Sequence, residues 1–424
     1  METASEPIKP HTSPLPPLDE VELSDGGAAA IVRRPARRAR RLSVAARREL
    51  LWIAVVYLTA RGLLLLTAYL ESSLGHHNFL GELAHWDGLW YRQLANHGYP
   101  NHVVQGQTTL GFFPLYPICI WLLEPLILAI TSHNQIWAST VAGLLVSSAG
   151  GLVATVLVHR LADGWWGRAA ARRASVMFVV FPGAVVFSMV YSEGILLPLA
   201  IGCIYALERR RWLLAGVLAG FGTAVQPVGL LLGLVCLVSA LAWLRSEGVS
   251  WPAIRRCAVA PLLSATGVLG FLSFLWAWTG SPFANYIAQR HGWSEKTDAL
   301  ALVHLVQRMT PALDPAHFNS PTINLNLVVG IIGAAILAAE LALMWRARRE
   351  ISLEACVWTL GITFFACTSE YVPPNPRMLI TAFPALMVAA RYARGRAFTA
   401  LVWINGALLV GLSLLTFVGH TLRP

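Results

Sequence analysis

The residues able to do acid–base or anion chemistry sit in short stretches between long apolar runs. The first stretch reads AHWDGLWYRQLANHGYP over residues 84–100. Trp86, Trp90 and Leu94 recur at a spacing of four, which on a helix places them on one face and suits a segment lying at a membrane interface. Asp87 stands beside that face. A partly desolvated carboxylate in such a place can take a proton from a hydroxyl nucleophile. It can equally cap the helix, since Asp is a favoured N-cap residue, and one side chain can do both. GFFPLYP follows at 111–117, either a proline-shaped turn with aromatic anchors or a substrate contact.

Three later stretches add to the set. FPGAVVFSMVYSEGILL (181–197) leaves Glu193 alone between two apolar runs, after Tyr191. An ionisable residue there is a functional candidate, or an acid placed at a helix start by the helix dipole. GSPFANYIAQRHGW (280–293) supplies Arg290, whose fork can meet a phosphate, and Gln289 and Trp293, which suit a sugar by hydrogen bonding and ring stacking. The plain alternative is an ordered amphipathic loop helix. EYVPPNPRMLITAFP (370–384) places Arg377 at the start of an apolar run, where it can hold a lipid phosphate or snorkel to the interface, with Glu370 as a nearby partner.

The elements that must position these residues are membrane helices. The chain is 56% hydrophobic and 13% charged, against about a quarter charged in soluble domains. Apolar runs occur near 50–70, 136–158, 174–189, 192–207, 212–225, 228–244, 257–279, 323–345, 353–369, 376–391 and 397–419. Arginine clusters lie at 33–48, 160–173, 209–211, 245–256, 346–349 and 391–396, and the positive-inside rule puts them all in the cytoplasm. From residue 160 on, each pair of clusters encloses two crossings. Between the tail and 160 an odd number is needed, so the proline-interrupted run 112–130 is read as a re-entrant or interfacial helix.

The resulting fold class is an all-α polytopic membrane protein. It has about eleven crossings plus interfacial or re-entrant helices in the first outer loop. Residues 1–47, rich in Pro, Ala, Arg and Glu, form a disordered basic cytoplasmic tail, and 48–424 form one transmembrane domain. The N-terminus is cytoplasmic, and every candidate stretch above falls on the extracytoplasmic side of the plasma membrane.

Several chemistries are excluded. No phosphate-cradling GxxxxGK[ST] loop, HExxH, GxSxG or dinucleotide glycine fingerprint stands in a credible context, so a soluble nucleotide is not the expected substrate. The six cysteines lie in or beside apolar runs without a CxxC, giving neither a disulfide framework nor a zinc site. The net charge of +10 is concentrated in membrane-flanking clusters, which points to anionic lipid and away from nucleic acid.

His85-Trp86-Asp87-Gly88 with Tyr91 and Gly98-Tyr99, then Phe112-Phe113-Pro114-Leu115-Tyr116-Pro117, resembles the PIG-V family of GPI-anchor mannosyltransferases, and more closely its bacterial PIG-V-like members. The resemblance continues through Pro182 and Tyr191-Ser192-Glu193, Gly280-Ser281-Pro282 with Ala288-Gln289 and Trp293, and Pro376-Arg377 with Phe383-Pro384. It implies the C-type glycosyltransferase superfold, a polyprenyl-phosphate-linked sugar donor, usually mannose, and transfer with inversion to an extracytoplasmic glycolipid, lipoglycan or glycoprotein acceptor. Asp87 would be the general base, and Arg377 and Arg290 would hold the donor phosphate. His85, Trp86, Tyr91, Tyr191, Glu193, Gln289 and Trp293 would bind substrate. No metal or other cofactor is required by that reading, because arginine can stabilise the leaving group. The chain departs from the family at Val225-Gln226-Pro227, where a basic residue is common. The competing readings are a lipid-linked sugar flippase and a non-catalytic assembly subunit. A flippase would gather its polar residues at the midplane on broken helices.

Overall fold

The computed structural model describes residues 44–75, 78–309, 325–369 and 372–417. Residues from Ala45 on form one compact unit. The described residues are helical throughout; their only β pairing is an isolated bridge between Thr297 and Ser369. The expected tail falls outside them up to residue 43, and the first helix begins at Val44, ahead of the expected start of the domain at 48.

In chain order the helices are α1 (Val44–Gly75), α2 (Phe79–Leu83), α3 (Asp87–His97), α4 (Leu115–Ile130), α5 (Gln135–Trp166), α6 (Arg168–Val180), α7 (Glu193–Glu208), α8 (Trp212–Thr223) and α9 (Leu231–Glu247). They continue as α10 (Trp251–Ser264), α11 (Thr266–Thr279), α12 (Ala284–Gly292), α13 (Ala301–Met309), α14 (Leu325–Ala347), α15 (Leu353–Thr368), α16 (Pro376–Thr381), α17 (Phe383–Tyr392) and α18 (Gly395–Phe417). Short 3₁₀ segments at Thr109–Gly111, Pro182–Ser188 and Pro227–Leu230 join them.

Five of the described helices are long and apolar enough to cross a membrane. The number rises to seven if two bent pairs each count as one span: α6 with Pro182–Ser188, bent by 71°, and α10 with α11, bent by 41°. This is fewer than the eleven runs read from the sequence. The difference lies partly in the runs 212–225 and 353–369, whose helices α8 and α15 are apolar but short. Proline explains one break: Pro182, which cannot donate a backbone N–H, follows the end of α6.

The two ends of the bundle differ in charge. Glu49 on α1 pairs with Arg168 and Arg172 on α6. Trp165 on α5 donates to Glu208 on α7. Arg173 donates to the Ala390 carbonyl, and Arg391 pairs with Glu350. The arginine clusters near 160–173, 346–349 and 391–396 therefore meet at one end. From Glu208 at that end, α7 runs 16 residues back to Glu193, about 24 Å at 1.5 Å per residue.

The interrupted run before α5 takes up a distinct position. Leu115, which opens α4, donates its backbone N–H to the Ala224 carbonyl, and the Tyr116 hydroxyl meets the Gly143 carbonyl and Ser147. Residues 131–134 turn the chain directly into α5. So α4 lies beside the first half of α5 and does not reach its arginine-rich end.

A polar break in an apolar bundle needs its backbone satisfied. Arg61, 3% exposed on α1, does this where α6 ends. It donates to the carbonyls of Val179 and Ala184 and to Ser188 Oγ, and stacks near the Tyr57 ring. Carbonyls at a helix C-terminus lack intrahelical partners, and a guanidinium there supplies donors and the favoured charge.

The Pro182–Ser188 segment is fully buried and backs directly onto α16. A Cβ added to Gly183 would lie 2.0 Å from the Pro376 carbonyl oxygen. Gly183→Ala is therefore expected to push α16 outward and cost about 1–3 kcal/mol by overpacking. Thermal unfolding checks this against Gly270→Ala, a site where an added Cβ meets nothing within 4 Å; equal stabilities would refute the tight fit.

Candidate functional site

Three helices begin at one place. Asp87 is the first residue of α3 and Glu193 the first of α7, and Arg377 is the second of α16. At α16 the cause is local: Asn375, whose side chain accepts the Met378 N–H, caps the helix with Pro376 after it. Ser192, before Glu193, makes no side-chain cap bond to α7. Before α3 the cap residue is Trp86 itself, without a side-chain cap bond and with φ 56° and ψ −120°. That region is costly for a non-glycine residue and is found mostly at functional sites. Acids in the first turns of α3 and α7 suit the helix dipole. Arg377 in the first turn of α16 does not, and requires counter-charge.

It has two. Arg377 Nε donates to Glu193 Oε1 at 2.6 Å and one terminal nitrogen donates to Asp87 Oδ2 at 2.5 Å. The guanidinium carbon lies 4.7 Å from the centre of the Tyr191 ring, a cation–π distance. Asp87 thus starts α3 but spends its carboxylate on Arg377, so the capping reading does not account for it. Glu193 does both: it opens α7 and neutralises the arginine. Among the described residues no group of three His, Cys, Asp or Glu side chains is placed to hold a metal ion.

In front of the triplet opens a cleft of about 700 Å³. Of the residues singled out in the sequence, His85, Trp86, Asp87, Tyr91, Tyr191, Gln289, Trp293 and Arg377 line it. Glu193 does not. It is 1% exposed and sits behind Arg377, so it holds the arginine and does not face the cleft. Arg290 is not brought there either. It is exposed and donates to the Tyr286 hydroxyl at 3.1 Å. The reason is the register of α12, which buries Ala284 and Ala288 and turns Gln289 inward. Glu370, the expected partner of Arg377, lies outside the described residues.

The cleft has a polar floor and an aromatic wall. On the floor the Tyr91 hydroxyl donates to Ser192 Oγ at 2.8 Å, which donates to Gln226 Oε1 at 3.0 Å. Burial, followed by the charge of Asp87, pushes the Tyr91 phenol above its ordinary range, so it stays a hydroxyl. On the wall Trp90, Phe112 and Trp293 have ring centres 5.4–6.0 Å apart. Such surfaces suit the apolar face of a sugar ring. Gln289 already donates its amide to the Gly111 carbonyl at 2.6 Å, which leaves its oxygen for a ligand and ties α12 to the 109–111 segment.

Sequence reasoning overlooked Gln93, Gln107, Glu295 and Asn375 as cleft residues. Asn375 carried a signal, an Asn before Pro at a helix start. Gln226 stands where the sequence departs from the PIG-V pattern, and it faces the cleft. The others are single polar residues, Gln93 within α3 and Gln107 and Glu295 between helices, with no pattern to distinguish them.

Residues 65–246 match the protein family described as Mannosyltransferase (PIG-V). The matched stretch holds Asp87, the Phe-Phe-Pro segment and Glu193 and stops short of Arg377. No curated protein sequence matches the chain. Among solved structures, ArnT from Cupriavidus metallidurans in the apo state is similar over 82% of this chain and 59% of its own, at 16% identity and a TM-score of 0.49. ArnT bound to undecaprenyl phosphate covers 73% of this chain and 56% of its own, at 15% identity and a TM-score of 0.44. The Archaeoglobus fulgidus oligosaccharyltransferase in the apo form covers 86% and 55%, at 12% identity and a TM-score of 0.43. The chain thus spans less than two thirds of the length of these relatives.

Proposed function

We propose that this chain, matched over residues 65–246 by the PIG-V mannosyltransferase family, is a membrane glycosyltransferase of the C-type superfold. It transfers a sugar, mannose by that match, from a polyprenyl-phosphate donor to a hydroxyl of a lipid, lipoglycan or protein acceptor. The observation that carries this reading is the Asp87–Arg377 pair at the floor of an aromatic-walled cleft. A carboxylate that can take a proton and a guanidinium that can meet a phosphate stand side by side.

In the reaction the acceptor oxygen attacks the anomeric carbon and its proton passes to Asp87. The bond from that carbon to the phosphate oxygen breaks, and its electron pair leaves with the phosphate, next to Arg377. One displacement gives inversion. Preorganised N–H donors at a developing charge are usually the largest catalytic contribution, and the starts of α3 and α7 add their dipole ends to the same place. Trp90 and Trp293 stack the sugar, with Gln289 Oε1 and the cleft-lining His85 beside its hydroxyls. Arg377 serves as the phosphate ligand without Arg290, which lies elsewhere.

The arginine-rich end faces the cytoplasm by the positive-inside rule, and the cleft opens on the other side. Eleven passes fit the alternation of the arginine clusters, with α4 as the helix that does not cross.

The test is transfer by purified protein in liposomes, supplied with radiolabelled polyprenyl-phosphate mannose and an envelope lipid extract. Labelled glycosylated acceptor should accumulate, and the matching glycan should lose one residue in a deletion strain. Movement of the labelled lipid between leaflets with no product would replace this reading with a flippase.

A further inference from the structure

The two carboxylates on Arg377 are not equivalent. The Glu193 side chain is 2% exposed and the Asp87 side chain 29%. Glu193 Oε1 is bound by Nε, the least mobile nitrogen of the guanidinium, while its Oε2 is buried with no hydrogen-bond partner. Asp87 faces the cleft and is bound through a terminal nitrogen. The Tyr191 ring covers one face of the guanidinium, so an incoming anion must approach through the cleft, on the Asp87 side.

Consider what an anionic ligand meets there. Arg377 already has two counter-charges. Displacing Glu193 would strand a carboxylate that water cannot reach, and uncompensated buried charge is strongly destabilising. Displacing Asp87 costs far less, because the cleft can rehydrate it. There is also a chemical reason for the exchange. Asp87 Oδ2 accepts the Arg377 N–H at hydrogen-bond distance, so while that bond stands this oxygen is engaged by the guanidinium.

We infer that Glu193 is a positioning residue that holds Arg377 permanently, while Asp87 is its exchangeable counter-ion, released when the donor phosphate takes its place on the guanidinium. The donor therefore binds first, and only then is the Asp87 carboxylate free to receive the acceptor's proton. The resting enzyme thus keeps its base paired with Arg377 until a donor is in place. This rests on the glycosyltransferase reading above and adds a binding order and a division of labour between two acids.

The experiment is binding of undecaprenyl monophosphate to the full chain in nanodiscs, titrated for wild type, Asp87→Asn and Glu193→Gln. Asp87→Asn removes the competing charge while keeping nearly the same side-chain volume, and should bind about tenfold tighter. Glu193→Gln loosens Arg377 and leaves it to Asp87 alone, so binding should weaken about tenfold. Opposite signs are the signature; acids that merely keep the site folded would both weaken binding. Should Glu193→Gln fail to fold, Asp87→Asn decides by itself, since its side chain is partly solvated. Unchanged or weaker binding by Asp87→Asn, in a chain whose wild type binds the lipid and transfers sugar, overturns the exchange and leaves the enzyme reading standing. A wild type that does not bind the lipid overturns both.

Discussion

Asp87→Asn is expected to lower the rate of sugar transfer by about a hundred- to ten-thousandfold, the range associated with a positioned general base. The amide has nearly the same volume, and its oxygen can still accept from Arg377, so the helix start and the cleft should persist. What it cannot do is take up a proton. Initial rates with labelled donor, set beside membrane yield and thermal unfolding of the same preparation, separate the two effects. Transfer at half the wild-type rate or more would remove Asp87 from the mechanism. Asp87→Glu should retain part of the activity, because it keeps the carboxylate and misplaces it by one methylene.

Arg377→Gln has the other large expected effect, and it falls on stability as well as activity. It leaves Asp87 and Glu193 facing a neutral amide, the second of them with 2% of its side chain exposed. Removing one partner of a buried ion pair costs about 3–5 kcal/mol. The partial exposure of Asp87, at 29%, places the cost toward the lower figure. The double variant Arg377→Gln with Glu193→Gln removes the stranded charge and should recover most of the stability, with no recovery of transfer. If the double variant were no more stable than Arg377→Gln alone, the ion pair with Glu193 would not be what holds this corner together. Arg377→Lys should rescue neither property well. Two acids are held by two different nitrogens of a planar fork, and a single ammonium cannot reproduce that geometry.

How far these features were readable from sequence depends on the kind of information each needs. Asp87, Glu193 and Arg377 each stand out as an ionisable residue at the edge of an apolar run, because the cost of charge near a bilayer leaves few reasons to keep one. Their mutual pairing does not show, since the partners are 290 and 184 residues apart and nothing local encodes the meeting. Glu370 is expected as a partner of Arg377 by proximity in sequence alone, and it lies outside the described residues. Arg290 shows what local sequence misses. It has the right chemistry beside two residues that do line the cleft, yet the face that α12 buries, through Ala284 and Ala288, rotates it away. Hydropathy found the apolar runs and the arginine clusters ordered them. The break after α6 was less legible, because the arginine that satisfies it comes from α1, more than a hundred residues earlier.

The same long separations say something about how the protein is made. Asp87 and Glu193 are synthesised well before Arg377, the cation that both of them need. Until α16 leaves the translocation machinery, two carboxylates wait in an unfinished bundle with no guanidinium between them. The arrival of α16 therefore acts as a clasp between α3 and α7. A ribosome-stalled or proteolysed fragment ending before α16 would carry the candidate base and the residues shared with the PIG-V family, yet no working centre.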